Sequence, residues 1–265
     1  MGAARASAEP ASEEPRAEGA SGWNFVAAPY MWVPGAKGAV PVDGTSIPID
    51  QTVGDTFDYL GSLEAGGAMA YLAVRKGDLG GFADFQFLGT RTGQTLGPRD
   101  LGYVRVKLLE YFVEYGLFYR LFESNTVLGG GRAMWFELIA GGRWNRISTE
   151  IAFARRDQDS KSKIAFTDPL VGGRFLVPFY ASSSMGSFAL RFRGDFGGFG
   201  IGSDLSWSAT GMLEWDTPWT LAGGEVALLA GYKAYSLRKG GVERGNDASL
   251  ELRSGGPALG LAFSF

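Results

Sequence analysis

The sequence predicts an all-β chain folded as a single antiparallel transmembrane β-barrel. Three observations carry that prediction. Apolar and polar residues alternate along stretch after stretch, as in Phe188, Leu190 and Phe192 against Arg191 and Arg193. Side chains of a strand point alternately to its two faces, so such a stretch has one apolar and one polar face. Of the 265 residues 41 are glycine, about twice the usual share, and 14% are aromatic. That combination is expected where strands curve and rings sit at a membrane interface. Charged residues also interrupt every apolar run before the roughly 20 residues that a membrane helix needs. A mean hydropathy near zero fits a wall that is apolar outside and polar inside.

Composition excludes several functions. The net charge of −3 gives no footprint for nucleic acid. With no cysteine, there is no disulfide framework and no thiolate metal site. With no histidine, the commonest general base and the commonest metal ligand are missing. The expectation is therefore no enzyme, no cofactor and no metal. Barrel proteases, phospholipases and lipid A acyl-modifying enzymes rely, as families, on a histidine that this chain lacks.

In chain order, Met1–Gly22 is rich in Ala, Ser, Glu and Pro without periodicity, and reads as a disordered tail. It lacks the apolar centre of a secretory signal. An exported chain needs one, so a signal is expected upstream of Met1 or to have been removed. Residues 23–265 form the barrel. Trp23–Trp32 is the first strand, weakly alternating. Residues 33–61 form an outer excursion or plug. Within it Gly38–Val42 and Ser46–Ile49 pair as a small hairpin. Asp55–Leu60 makes a helical turn whose Phe57, Tyr59 and Leu60 fold over the mouth. Ser62–Val74 and Leu79–Gly89 are strands across a tight turn. Gly102–Phe122 is one long strand, and its apolar parity flips between Leu108 and Tyr111, which calls for a β-bulge. Val127–Arg146, Ile164–Val177 and the alternating run from Phe188 follow. Two more strands carry Leu205, Trp207, Leu213 and Trp215, and then Val226, Leu228, Ala230 and Tyr232, on one face.

The final strand, Gly255–Phe265, sets Leu259, Leu261, Phe263 and Phe265 on one face against Ala258, Gly260, Ala262 and Ser264. Its apolar face runs to the last residue, as in a strand that seals a barrel against lipid by pairing with the first. It resembles the C-terminal strand that the insertion machinery of bacterial outer-membrane barrels reads, with Gly260, Phe263 and Phe265 at matching positions and Ala258 in place of a polar residue. Such barrels join an even number of strands by short periplasmic turns and longer outer loops. Connection lengths counted back from Phe265 alternate accordingly, with 123–126, for one, as a short turn. They give ten strands, or twelve if the 33–61 segment contributes wall.

PYMW (29–32), DPLVGGRF (168–175), RGDFGGFGIGSDLSW (193–207), LLAGYKAY (228–235) and GPALGLAFSF (256–265) together resemble a poorly characterised family of proteobacterial outer-membrane β-barrel proteins. The resemblance spans about residues 23–265. It implies a small barrel in the outer membrane of a Gram-negative bacterium. It implies no established activity. Lys233 stands where relatives are expected to carry Arg. The expected partners are the lipid bilayer and, during biogenesis, the barrel insertion machinery.

The inward parity collects Asp84, Arg105, Lys107, Glu114, Glu137, Arg143, Arg174, Arg191, Arg193, Asp195, Asp204, Glu214 and Lys233. Their signs nearly balance, and ten strands enclose little more than side chains fill. A lumen network of ion pairs, largely occluding the barrel, is the favoured reading. A porin-like pore lining for ions or small solutes is the alternative. Asp195 and Asp204 flank the glycine hairpin 197–202, but two carboxylates make a poor Ca²⁺ site. Trp135, Trp144, Trp207, Trp215, Trp219, Phe179, Tyr180, Tyr119 and Phe122 lie near strand ends and read as an aromatic girdle.

Overall fold

A computed structural model describes residues 22–42, 45–60, 67–95, 103–124, 132–153, 160–241 and 249–265. The tail assigned to 1–22 lies outside the described residues except for Gly22. The wall has ten antiparallel strands: β1 (Asn24–Trp32), β4 (Gly67–Lys76), β5 (Leu79–Thr95), β6 (Tyr103–Ser124), β7 (Met134–Phe153), β8 (Ser160–Ser182), β9 (Gly186–Gly197), β10 (Leu205–Leu221), β11 (Gly224–Lys239) and β12 (Leu250–Ser264). The two remaining strands, β2 (Gly35–Val42) and β3 (Thr45–Gln51), form a hairpin, followed by helix α1 (Val53–Leu60). This is the ten-strand count.

Closure runs between the ends of the chain. Val26 pairs with Ser264 and Trp32 with Ala258. Phe25 and Phe265 exchange backbone hydrogen bonds at 3.0 and 2.9 Å, so pairing reaches the last residue. Above that level β1 leaves the wall. Its place beside β12 passes to β2, through Gly35↔Gly255 to Ala39↔Glu251. Gly38 takes φ of +151°, and a Cβ there would collide with the Glu251 carbonyl, so only glycine fits where the hairpin docks. Among the described residues β3 pairs only with β2.

The start of β1 and the end of β12 lie at one end, called the terminal end below. Three tight turns lie there too: Gly77–Asp78, 183–185 and Ala222–Gly223. By the rule of short periplasmic turns this terminal end faces the periplasm. The β6–β7 connection there spans 125–133 rather than the short 123–126, because β7 begins only at Met134.

The outer face is apolar. Phe85, Tyr115, Leu117, Leu138, Val171, Phe175, Leu190, Leu213, Leu259 and Leu261 are all exposed. Water tolerates no such continuous apolar belt on a monomer, but hydrocarbon does. Trp23, Tyr119, Phe122, Phe179, Tyr180, Trp219 and Phe265 ring the terminal end, exposed.

The expected bulge between Leu108 and Tyr111 is absent. β5 and β6 pair without a register shift from Thr95↔Tyr103 to Leu79↔Tyr119. Leu108, Glu110, Phe112, Glu114 and Phe118 are all buried on one inward parity. The irregularity in β6 falls between Arg120 and Phe122, against β7. Leu108 looked lipid-facing because it is apolar, but the lumen itself is apolar at that height. Trp32, Leu108, Phe112, Ile147, Tyr235, Leu237, Leu250 and Leu252 pack there with Ala36, Val40 and Ile49 of the hairpin. In α1, Thr56 is the side chain that turns inward, bonding the Pro34 carbonyl at 2.6 Å, while Phe57 is exposed. The Tyr59 and Leu60 side chains lie outside the described residues. Thr52 and Asp55 close a capping box: each side chain takes the other's backbone N–H, at 3.2 and 2.7 Å.

Candidate functional site

Period-two alternation and the register bring the charged side chains together in the lumen. Asp84, Glu114, Arg143 and Asp168 lie side by side across β5, β6, β7 and β8. Two acids next to each other would repel, so cations from the far wall interpose.

Arg143, fully buried, is the hub. Its guanidinium donates to Glu114 at 2.9 Å, to Ser206 Oγ at 3.1 Å and to Asp195. Arg193 donates to Glu114 at 2.5 Å and to Asp195 at 3.2 Å, and Ser208 adds a bond to Asp195 at 3.0 Å. Lys233 lies 3.6 Å from Asp84 and donates to Gln86 Oε1 at 2.9 Å. Tyr30 donates its hydroxyl to Asp84 at 2.8 Å. Three cations thus meet three carboxylates, each with several partners, which is the condition under which buried charge is tolerated.

A second layer lies nearer the terminal end. Glu137 receives Arg120 at 2.8 Å and Arg174 at 2.6 Å, with Arg75 at 3.9 Å. Glu214 receives Arg132 at 2.8 Å and Arg191 at 2.6 Å. Asp216 receives Arg132, and Ser187 at 2.7 Å. Arg174 also reaches Tyr71 and stacks 3.9 Å from the centre of the Phe118 ring.

Of the residues placed in the network from sequence, ten lie in these two layers: Asp84, Glu114, Glu137, Arg143, Arg174, Arg191, Arg193, Asp195, Glu214 and Lys233. Arg105 and Lys107 belong to a stretch of β6 whose side chains lie outside the described residues. Asp204 is not in the lumen. It precedes β10, is exposed, and accepts the Gly240 N–H at 2.9 Å. Alternation does not extend into a turn, so its parity carried no information. Asp195 and Asp204 are therefore not partners in a cation site, and no group of three acidic residues that could hold a metal occurs among the described residues. Trp135 is no part of the girdle: it is buried on the inward parity, 5.0 to 5.8 Å from Arg120, Arg174 and Arg191.

Sequence reasoning missed Asp168, Arg75, Arg120, Arg132 and Asp216. Asp168 and Arg120 stand on the inward parity and could have been found. Asp168 fastens the glycine turn, accepting the Ser203 N–H at 2.6 Å and the Ser203 and Ser206 hydroxyls at 2.8 and 2.9 Å. A Cβ at Gly202 would strike Asp168 and the Thr167 carbonyl, so the turn needs glycine to sit down on the wall. Arg132 precedes its strand, where alternation gives no signal.

A closed antiparallel wall, apolar outside and charged within, pairs the backbone groups that lipid would otherwise leave unsatisfied. These features define a transmembrane β-barrel of the bacterial outer membrane. No protein-family model matches the chain, and neither does any curated protein sequence. Among solved structures, Ail, the attachment invasion locus protein of Yersinia pestis, aligns with 92% of this chain and 99% of its own, at 12% identity and a TM-score of 0.33. The same protein in complex with the heparin analogue sucrose octasulfate aligns over the same shares at 11% identity and a TM-score of 0.34. At those scores the likeness carries no argument, and the class rests on the wall and lumen described above.

Proposed function

We propose that the protein is a structural or passive component of the outer membrane whose barrel is closed to steady passage of ions. One observation carries this reading: side chains from β6, β7, β11 and β12 converge with the β2–β3 hairpin in one buried apolar cluster across the lumen. Below it the Arg143 hub ties β6, β7, β9 and β10 together through direct hydrogen bonds. An ion crossing this lumen would have to break a charge network and then enter an apolar plug. The proteobacterial barrel family that the sequence resembles fits the same reading, which assigns no catalytic residue.

Planar-bilayer recording tests it. The purified protein should show little or no steady conductance. Deletion of Val40–Asp58, which removes most of the hairpin and most of α1, should raise conductance. Large, stable openings in the intact protein would overturn the closed barrel and favour a solute channel.

A further inference from the structure

We propose that the periplasm-facing half of the lumen is a binding site for a small organic oxyanion carrying carboxylate or phosphate groups. This half holds a cavity of about 840 Å³, within the range of small-molecule sites. Ser183, Thr217, Trp219 and Ser264 line it at the terminal end, and the Arg193–Glu114 layer lies at its depth. A ligand therefore enters from the periplasm and leaves the same way.

The charge around the cavity is lopsided. In the deep layer three cations meet three carboxylates, and a fourth, Asp168, is satisfied by Ser203 and Ser206. Among the described residues of the lower layer, five guanidinium groups, those of Arg75, Arg120, Arg132, Arg174 and Arg191, surround three inner carboxylates, Glu137, Glu214 and Asp216. Of two further carboxylates at the exposed rim, Glu123 accepts from Arg120 directly, and Glu225 is left to water and salt to screen. Each inner carboxylate already has its partners. Among the described residues Arg75 reaches a carboxylate only at Glu137, at 3.9 Å, too far for a hydrogen bond, and it lines the cavity. A guanidinium fork with open donors suits a carboxylate or phosphate, which it grips by two parallel bonds. Trp135 steadies the neighbouring forks, lying 5.0 Å from Arg120 and 5.5 Å from Arg191, and gives the wall an apolar panel. One cation beyond the paired carboxylates, an open fork and a confined space together favour an anion with a compact body. The inference does not depend on whether the plug conducts, because only the lower wall is involved.

Isothermal titration of the folded protein in a neutral detergent at low salt tests the proposal, with citrate, pyrophosphate and, as a neutral control, sucrose. One-to-one binding is expected for at least one anion, weakening as sodium chloride rises, with none for sucrose. The preferred anion separates the carboxylate source from the phosphate source. Arg75→Gln should weaken binding at least tenfold and leave the heat-modifiable gel shift unchanged, since Glu137 keeps two arginines. Ser183→Trp, on an exposed turn at the mouth, should weaken it as well and serves if the first variant does not fold. A loss in either variant places the site in this cavity. Absence of anion binding above the sucrose baseline overturns the proposal, as does binding undiminished in both variants.

Discussion

Toward the end where β1 begins and β12 ends, the lumen is spanned by arginines and carboxylates from opposite walls; toward the other end it is filled by Trp32, Leu108, Phe112, Leu237 and Leu252 around an inserted hairpin. One barrel encloses both halves, with β1 beside β12 in the first and β2 in its place in the second. Eight strands make an interior that side chains just fill, and ten make a wider one. The charged half bridges that width with the longest side chains available, because an arginine from β7 can reach acids on β6 and β9 at once. The apolar half cannot, since Leu and Phe are shorter, so the chain returns a hairpin to supply the missing volume. The difference also sets what remains empty. Directional bonds hold arginines apart and leave a cavity, whereas apolar packing closes up.

The comparison breaks if the hub of the charged half proves dispensable. Arg143→Leu leaves Arg193 alone with Glu114 and Asp195, and should destabilise by roughly 3–5 kcal/mol. Urea unfolding of the refolded protein in detergent measures it through the midpoint and slope. Adding Glu114→Gln restores one cation to one carboxylate and should recover a large part of the loss. A loss that the second change leaves untouched would mean that Arg143 acts by packing rather than by charge.

The apolar half should give a simpler answer. Leu252→Ala removes a fully buried side chain from the plug, at a cost of about 3 kcal/mol. No second-site change of charge should rescue it. Rescue by Glu114→Gln would show the two halves to be one coupled network.

Those two outcomes bear on what could be read in advance. Period-two alternation made the wall, the closing pair and most of the inward charges legible, because each is a property of a single strand. The face chosen by Leu108 was not legible, since alternation says that Leu108 and Tyr111 lie on opposite faces but not that a distant hairpin makes the lumen apolar there. Trp135 was misplaced for the related reason that an indole suits lipid interface and guanidinium stack equally. Arg132 and Asp204 sit beyond strand ends, where parity stops.

The smallest effect lies on the excursion itself. Bonds from the Thr52 side chain and backbone hold the Asp55 carboxyl below the usual carboxylate range. A lowered folded value means that this stabilisation is present above the ordinary carboxylate pKa near 4 and is lost as pH falls through the folded value. Thr52→Ala should loosen α1 by about 1 kcal/mol, read by amide hydrogen exchange at Asp55 and Thr56. The acid-side change in that exchange should shrink in the variant. An unaltered exchange profile would remove the capping box as the anchor of the helix.

The last strand serves two neighbours in succession. Its lower half, Ala258–Ser264, meets β1, and its upper half, Glu251–Gly255, meets the β2 edge of the plug. Both seams join segments more than 200 residues apart in sequence, so each carries the loop-closure cost of a long-range contact. A barrel that waited for a separate event to insert its plug would pass through an open, leaking intermediate. Here one strand carries both seams, so the pairing that closes the cylinder and the pairing that docks the hairpin share a single backbone.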